Sequence, residues 1–320
     1  MLRTSLFFAA IALLAVLLAD LEISTLDPWI ELRRMAVGAV TPDIPALWGF
    51  KSALLNTVIF ALCGTFFGVV FGIGLGFVFR HTSVRLFCAF IRAIHEIFWA
   101  FIFLHVVGLN PVCGVLAIAI PYAGIFAKMY AEIVQEADRR PLEGVPKASG
   151  GVSRFIYGIL PVVYADVKHY TGYRFECALR SSAILGFIGL PTLGFHLETA
   201  FREGLYSEAA ALLYAFYLLI ASLKYWLKPR LVAVYVATAF VLLSRSITWS
   251  WENVMRFFTY EMLPWPMRRE GVFDGTYAVS FSWQPILTWA NEIFMQEAWE
   301  GVWNTVVLTQ IVLVGTGMFT

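Results

Sequence analysis

The sequence predicts an all-α, polytopic membrane bundle, and three observations predict it. First, 60% of its 320 residues are hydrophobic and only 14% charged, with mean hydropathy +0.74. Soluble domains carry about 25% charged residues, so this much apolar surface needs lipid as its solvent. Second, apolar runs long enough to cross a bilayer alternate with short polar connections. Third, Lys and Arg cluster at Arg3, Arg80–Arg85, Lys128–Arg154 and Lys224–Arg230. These are alternate loops, the pattern of a chain with a cytoplasmic N terminus. The 11 Trp suit the two membrane interfaces. A net charge of +1 supplies no basic field for nucleic acid.

The elements follow in order. Ser5 to Ala19 is a first helix behind a short basic start, with no small-x-small cleavage site after it, so it is expected to stay uncleaved. Glu22 to Phe50, with Pro28, Pro42 and Pro45, is an extracytoplasmic loop holding an interfacial helix over Asp27 to Val40. Ser52 to Phe79 is the second span, and its Gly64, Gly68 and Gly72 lie four residues apart, which lets another helix approach closely. Phe87 to Gly108 is the third span, and Val112 to Met129 is the fourth, with a kink expected at Pro121. A polar loop over 132–161 leads to a fifth span, Tyr164 to Leu190. An outer loop, Pro191 to Leu205, precedes the sixth span, Tyr206 to Leu227.

Leu231 to Ile247 and Val302 to Thr320 are two further apolar stretches, separated by a Trp-rich polar segment, Thr248 to Glu300. Basic start, span, outer loop with prolines, span: this order repeats the beginning of the chain. Asn304-Thr305-Val306 echoes Asn56-Thr57-Val58. The expected organisation is one complete module at 1–229 and the truncated start of a second at 230–320.

Several chemistries have no motif here. Cys63, Cys88, Cys113 and Cys177 show no CxxC spacing and sit in or beside apolar runs, as small buried side chains do. The five His have no metal-ligand spacing. No Ser-His-Asp set, GxxxxGK[ST] or HExxH occurs. The chain is therefore expected to be no enzyme, to hydrolyse no nucleotide itself, and to need neither cofactor nor metal.

The residues that invite a function are charges inside apolar segments. In the fifth span stand Tyr173, Arg174, Glu176 and Arg180. A charge at the centre of a membrane helix costs about 2.5–3.5 kcal/mol on insertion scales. Tyr173, Glu176 and Arg180 share a face, and Glu176–Arg180 is an i,i+4 pair in the favourable order. They either lock helix packing by neutralising each other or line a polar pathway that leaves Arg174 or Arg180 to attract an anion. Arg92, His95 and Glu96 form a second cluster in the third span. It either snorkels to the inner interface or faces the fifth span across the bundle. In the loop, Pro141 and Glu143 are helix-start signals, while Pro146, Gly150 and Gly151 break or bend the element. A short helix on the cytoplasmic face would fit a groove in a partner.

These stretches resemble the membrane permeases of binding-protein-dependent ABC importers. The loop offers Glu143-Gly144-Val145, Ala148, Gly150-Gly151 and Gly158-Ile159-Leu160-Pro161 against that family's E-A-A, G and I-x-L-P pattern. The "AA" is here Gly-Val, and the glycine stands closer to Leu-Pro than is usual. The phosphonate/phosphite branch is most similar, through Arg92-Ala93-Ile94-His95-Glu96 with Trp99-Ala100, Tyr157 to Pro161, and Tyr173-Arg174-Phe175-Glu176 followed by Arg180 and Leu185-Gly186. That branch normally has Pro where His95 stands and a Gly-Ala-Gly-Gly-like turn where this chain reads Gly189 to Gly194. The resemblance covers about Ser52 to Trp226.

It implies a type I importer permease in the inner membrane, translocating phosphonate- or phosphite-type anions. The implied partners are ABC ATPase subunits, a periplasmic substrate-binding protein, and a second permease module, fused or as a homodimer. Glu143, Gly144, Ala148, Gly150, Gly151, Leu160 and Pro161 would form the coupling loop to the ATPase. Tyr173, Arg174, Glu176, Arg180, Arg92 and Glu96 would line the pathway. A permease for another small solute, and a channel or assembly protein that needs no ATPase, are the alternatives.

Overall fold

A computed structural model of the chain describes residues 2–18, 27–146, 149–244, 250–270 and 277–319. Helices α1 (Leu2–Leu18), α2 (Pro28–Val40) and α3 (Lys51–Phe77) open it. They are followed by α4 (Thr82–Ala93), α5 (Glu96–Val107), α6 (Pro111–Glu136), the single turn α7 (Gly151–Arg154) and α8 (Leu160–Ile184). Then come α9 (Leu193–Arg202), α10 (Tyr206–Ala221), the turn α11 (Leu223–Trp226), α12 (Val232–Ser244) and α13 (Trp251–Arg256). A small antiparallel ladder, β1 (Arg268–Glu270) with β2 (Tyr277–Val279), precedes α14 (Trp283–Glu292) and α15 (Trp299–Phe319).

Contacts divide the chain into two compact units, one of Leu32–Val254 and one of Met1–Glu31 with Met255–Thr320. Within the first, α3 and α6 form the central pair, joined by α4, α5, α8 and α12. Within the second, α1 packs on α15. Among the described residues α3 and α6 are long and apolar enough to cross a membrane, and the bent pairs α4–α5 and α8–α9 raise that to four. Leu6–Leu17, α10 and α12 are shorter apolar helices.

The glycine ladder explains the central pair. A methyl group on Gly64, Gly68 or Gly72 would stand 2.7, 2.8 or 2.5 Å from the Cβ of Ile118, Tyr122 or Phe126. The two four-residue rows run into each other, so α3 and α6 approach as only glycine permits. At the start of α6, Asn110 caps the helix by accepting from Val112 N–H at 3.0 Å, with Pro111 in its first turn. The helix continues through Pro121.

Three expectations are corrected. The third span is not one helix: α4 and α5 meet at 92° across Ile94 and His95. His95 is the cause, because its ring Nδ1 accepts from Ile97 N–H at 3.3 Å and starts a new helix as a capping side chain does. Trp99 Nε1 donates to the carbonyl of Ile91 at 3.1 Å, spanning the elbow. The outer loop over Pro191 to Leu205 is mostly helix, since α9 fills Leu193–Arg202.

The polar loop expected over 132–161 is shorter, because α6 runs to Glu136 and helix resumes at Gly151. Pro161 consequently lies inside continuous helix. The five-residue π turn at Phe155–Ile159 directly before α8 widens the backbone where the ring would otherwise meet a carbonyl.

A buried knot joins α3, α8 and α9. The single hydroxyl hydrogen of Ser182 is shared between the carbonyls of Leu179 at 2.8 Å and Thr57 at 2.9 Å, and Leu193 N–H donates to Thr57 Oγ1 at 3.0 Å. At the exposed edge of the knot, Asn56 Nδ2 donates to the Pro191 carbonyl at 2.9 Å. The α8–α9 turn is tight: a Cβ on Gly194 would lie 1.8 Å from the Ala183 oxygen, and Gly189 has φ +90°.

Candidate functional site

α8 carries polar groups on two faces. The inner face holds Arg174 and Ser181, seven residues apart and therefore nearly in line along a helix. The Arg174 guanidinium carbon lies 4.4 Å from the ring centre of Tyr122, which α6 presents fully buried. The ring's negative face attracts the cation, an interaction worth about 2 kcal/mol when desolvated. Arg174 Nε is nevertheless buried with no acceptor, and the Tyr122 hydroxyl also lacks a hydrogen-bond partner. Arg174, Ser181, Glu96 and Cys177 all lie within electrostatic reach of that hydroxyl, and Ser181 approaches it without closing a hydrogen bond of acceptable geometry.

Ser181 is instead directed at Glu96, its Oγ donating to Oε1 at 3.3 Å. Glu96 is the first residue of α5, and its side chain is 16% exposed. His95 Nε2 stands 3.4 Å from the other carboxylate oxygen. The elbow between α4 and α5 thus places a carboxylate against α8, on the side facing the fifth span. No ion pair joins Glu96 to Arg92 among the described residues, and Arg92 is exposed in the last turn of α4.

The outer face holds Tyr173, Glu176 and Arg180. Tyr173 is 57% exposed. Arg180 Nη2 donates to Glu176 Oε1 at 3.2 Å, with both side chains about half exposed. The pair is local to the helix, as its spacing predicts. The two faces separate Arg174 from the other three residues.

The polar segment after α6 holds a 3-10 turn at Arg140–Gly144, with Pro141 in its first turn and Glu143 and Gly144 exposed. Gly150 caps α7, Gly151 starts it, and Leu160 and Pro161 open α8. Ala148 lies outside the described residues. Leu142 is half-buried in this turn and meets the buried Gly158.

Sequence reading alone passed over Tyr122, Ser181 and Leu142. Tyr122 sits in an otherwise apolar run directly after Pro121, and Ser181-Ser182 follows Arg180. For Tyr122 and Ser181 the available signal was a polar group interrupting an apolar helix, whereas Leu142, an apolar residue in a polar loop, carried none of that kind.

The inner cluster offers a cation with an uncommitted donor, a phenol hydroxyl and an opposing carboxylate. The buried guanidinium donor and the phenol hydroxyl together suit binding of an anion.

No family model matches the chain. It is 28% identical over 194 residues to the phosphite transport system permease protein PtxC of Stutzerimonas stutzeri, covering 57% of this chain and 70% of that one. It is 28% identical over 192 residues to the phosphate-import permease protein PhnE of Mycolicibacterium smegmatis, covering 57% of this chain and 36% of that one. Over 100 residues it is 32% identical to the putative cryptic phosphonate transport system permease protein PhnE2 of Escherichia coli, covering 31% of this chain and 81% of that one.

Proposed function

The chain belongs to the permeases of phosphite- and phosphonate-type ABC transport systems, and from that premise we propose that it passes a phosphorus oxyanion across the inner membrane along the inner face of α8. The observation that carries this reading is Arg174, a cation laid on Tyr122 inside the bundle with a buried donor still unspent. An oxyanion would take that donor and the Tyr122 hydroxyl, as charge-assisted hydrogen bonds to guanidinium are the strong ones. Arg92, Tyr173, Glu176 and Arg180, being exposed or half-exposed, would face the water-filled approach or a second module.

ATP hydrolysis would belong to separate ABC subunits, and a periplasmic binding protein would deliver the ligand. The turn at Arg140–Gly144, with Gly150 and Gly151 beyond it, would dock on the ATPase on the cytoplasmic side, and the alternation of basic loops would put the N terminus on that side too. The module reading places a permease module at 1–229 and the start of a second at 230–320. Two pairings support it: α1, the first span of one module, packs on α15, and α12, the first span of the other, packs on α3.

The test is uptake of phosphite or methylphosphonate by cells that lack their own permease. They would express this chain with its neighbouring ATPase and binding protein. Uptake that depends on Arg174 is the expected result. Uptake only of an unrelated cation or amino acid would sink the reading, as would uptake indifferent to Arg174→Ala.

A further inference from the structure

We propose that Leu142, seated in a notch at Gly158, is the contact through which displacement of the loop turn reaches α8. The inference rests on the coupling reading above and assigns a positioning role to two residues outside the docking surface. In the segment 138–146, Leu142 and Val145 are half-buried, while the neighbours Arg140, Pro141, Glu143 and Gly144 are exposed. Leu142 is also clamped along the backbone. Its N–H donates to the Arg139 carbonyl at 3.0 Å, and its carbonyl accepts from Val145 N–H at 3.2 Å. Arg140 N–H is held in turn by Asp138 Oδ1 at 3.0 Å. A push on the exposed side of this turn therefore moves Leu142 with it.

The receiving side is shaped for that one side chain. Gly158 is buried, and a Cβ there would lie 2.5 Å from Leu142 Cδ2 and 3.2 Å from Cγ. The notch exists because residue 158 has no side chain. It lies within the π turn at Phe155–Ile159, which leads without interruption into α8. A π turn is a single widened turn that can tighten or shift along a helix. Beside it is a cavity of about 290 Å³ lined by Phe77, Tyr130, Val134, Phe155, Leu160 and Val163. The start of α8 has room there to move, and Arg174 stands about four turns further along the same helix from Gly158. The chain of contact is short: exposed turn, Leu142, Gly158, π turn, α8. The two-position element that coupling requires is the π turn itself.

Steric compensation tests it. Gly158→Ala should leave the chain co-purifying with its ATPase subunits but lower substrate transported per ATP hydrolysed by about fivefold, because the end of the Leu142 side chain must turn aside from the new methyl group. Leu142→Ala should lower the same ratio by about threefold, because it empties the notch. The double variant Leu142→Ala with Gly158→Ala should recover to within about twofold of the parent, since the new methyl group fills the vacated space. An unchanged ratio in Gly158→Ala overturns the proposal, as does a double variant no better than Gly158→Ala.

Should Gly158→Ala fail to accumulate in the membrane, Leu142→Ala decides, and a parental ratio there overturns the proposal. Glu143→Lys separates the two readings. If that variant transports normally, coupling through this loop fails altogether. If it is uncoupled while Leu142 and Gly158 tolerate change, only the present inference fails.

Discussion

The two polar faces of α8 hold the same kinds of group about a third of a turn apart on one helix, and they differ in what those groups touch. On the outer face Glu176 and Arg180 satisfy each other within the helix and stay about half exposed. On the inner face Arg174 and Ser181 reach other helices, α6 through Tyr122 and α5 through Glu96. A local pair can remain intact while the helix moves as a body. Contacts to other helices must be exchanged when helices shift. Transport-linked rearrangement should therefore be written on the inner face, with the outer face as its control.

The largest expected effect is at Arg174. Arg174→Ala should reduce uptake by about a hundredfold or more, and Arg174→Lys should rescue it poorly, because an ammonium lacks the planar fork that both stacks on a ring and binds an oxyanion. Equal rescue by Lys would reduce Arg174 to a point charge. Initial rates of phosphite uptake measure this.

Tyr122→Phe is the sharper probe. The hydroxyl has no hydrogen-bond partner, so its removal should leave the melting temperature in detergent unchanged or raise stability by about 1 kcal/mol. Uptake should still fall about tenfold if the hydroxyl serves the ligand. A fall in stability together with uptake would mark it as structural.

Ser182→Ala belongs to the buried knot with Thr57 rather than to either polar face. It should cost about 1–3 kcal/mol of stability and slow uptake only in proportion to lost protein, as read from thermal unfolding. The smallest effect is expected on the outer face. Glu176→Gln and Arg180→Gln should each change stability by less than about 1 kcal/mol, the ordinary worth of an exposed pair. A large uptake defect from Arg180→Gln alone would break the comparison and move the pathway to the outer face.

Much of this was legible in the sequence because it is periodic. The i,i+4 pair on α8, the helix at Pro28–Val40 and the glycine ladder on α3 were all legible. The ladder's partners on α6 were not, because which helix fills a groove depends on the packing of the whole bundle. The elbow at Ile94–His95 was hidden for a related reason. Hydropathy sums over the run and counts His95 as one polar residue, whereas its effect is a cap. Arg174 was legible as a charge out of place, but Tyr122 was needed to say where it points, and an aromatic residue in an apolar run gives no such direction. The ladder of β1 and β2 left no mark either, since each strand is three residues long.

The elbow has one consequence for the imidazole that forms it. Nδ1 of His95 accepts the Ile97 N–H, so that nitrogen must carry a lone pair, and the neutral ring is held in the tautomer with its hydrogen on Nε2. That hydrogen faces the carboxylate of Glu96. One ring therefore gives the new helix its acceptor and the carboxylate a donor. A proline at this position would bend the chain with its ring geometry, yet offer neither a side-chain lone pair nor a side-chain hydrogen. In this chain the corner is fastened by hydrogen bonds, and the nitrogen-15 shifts of a single histidine would report whether it is closed.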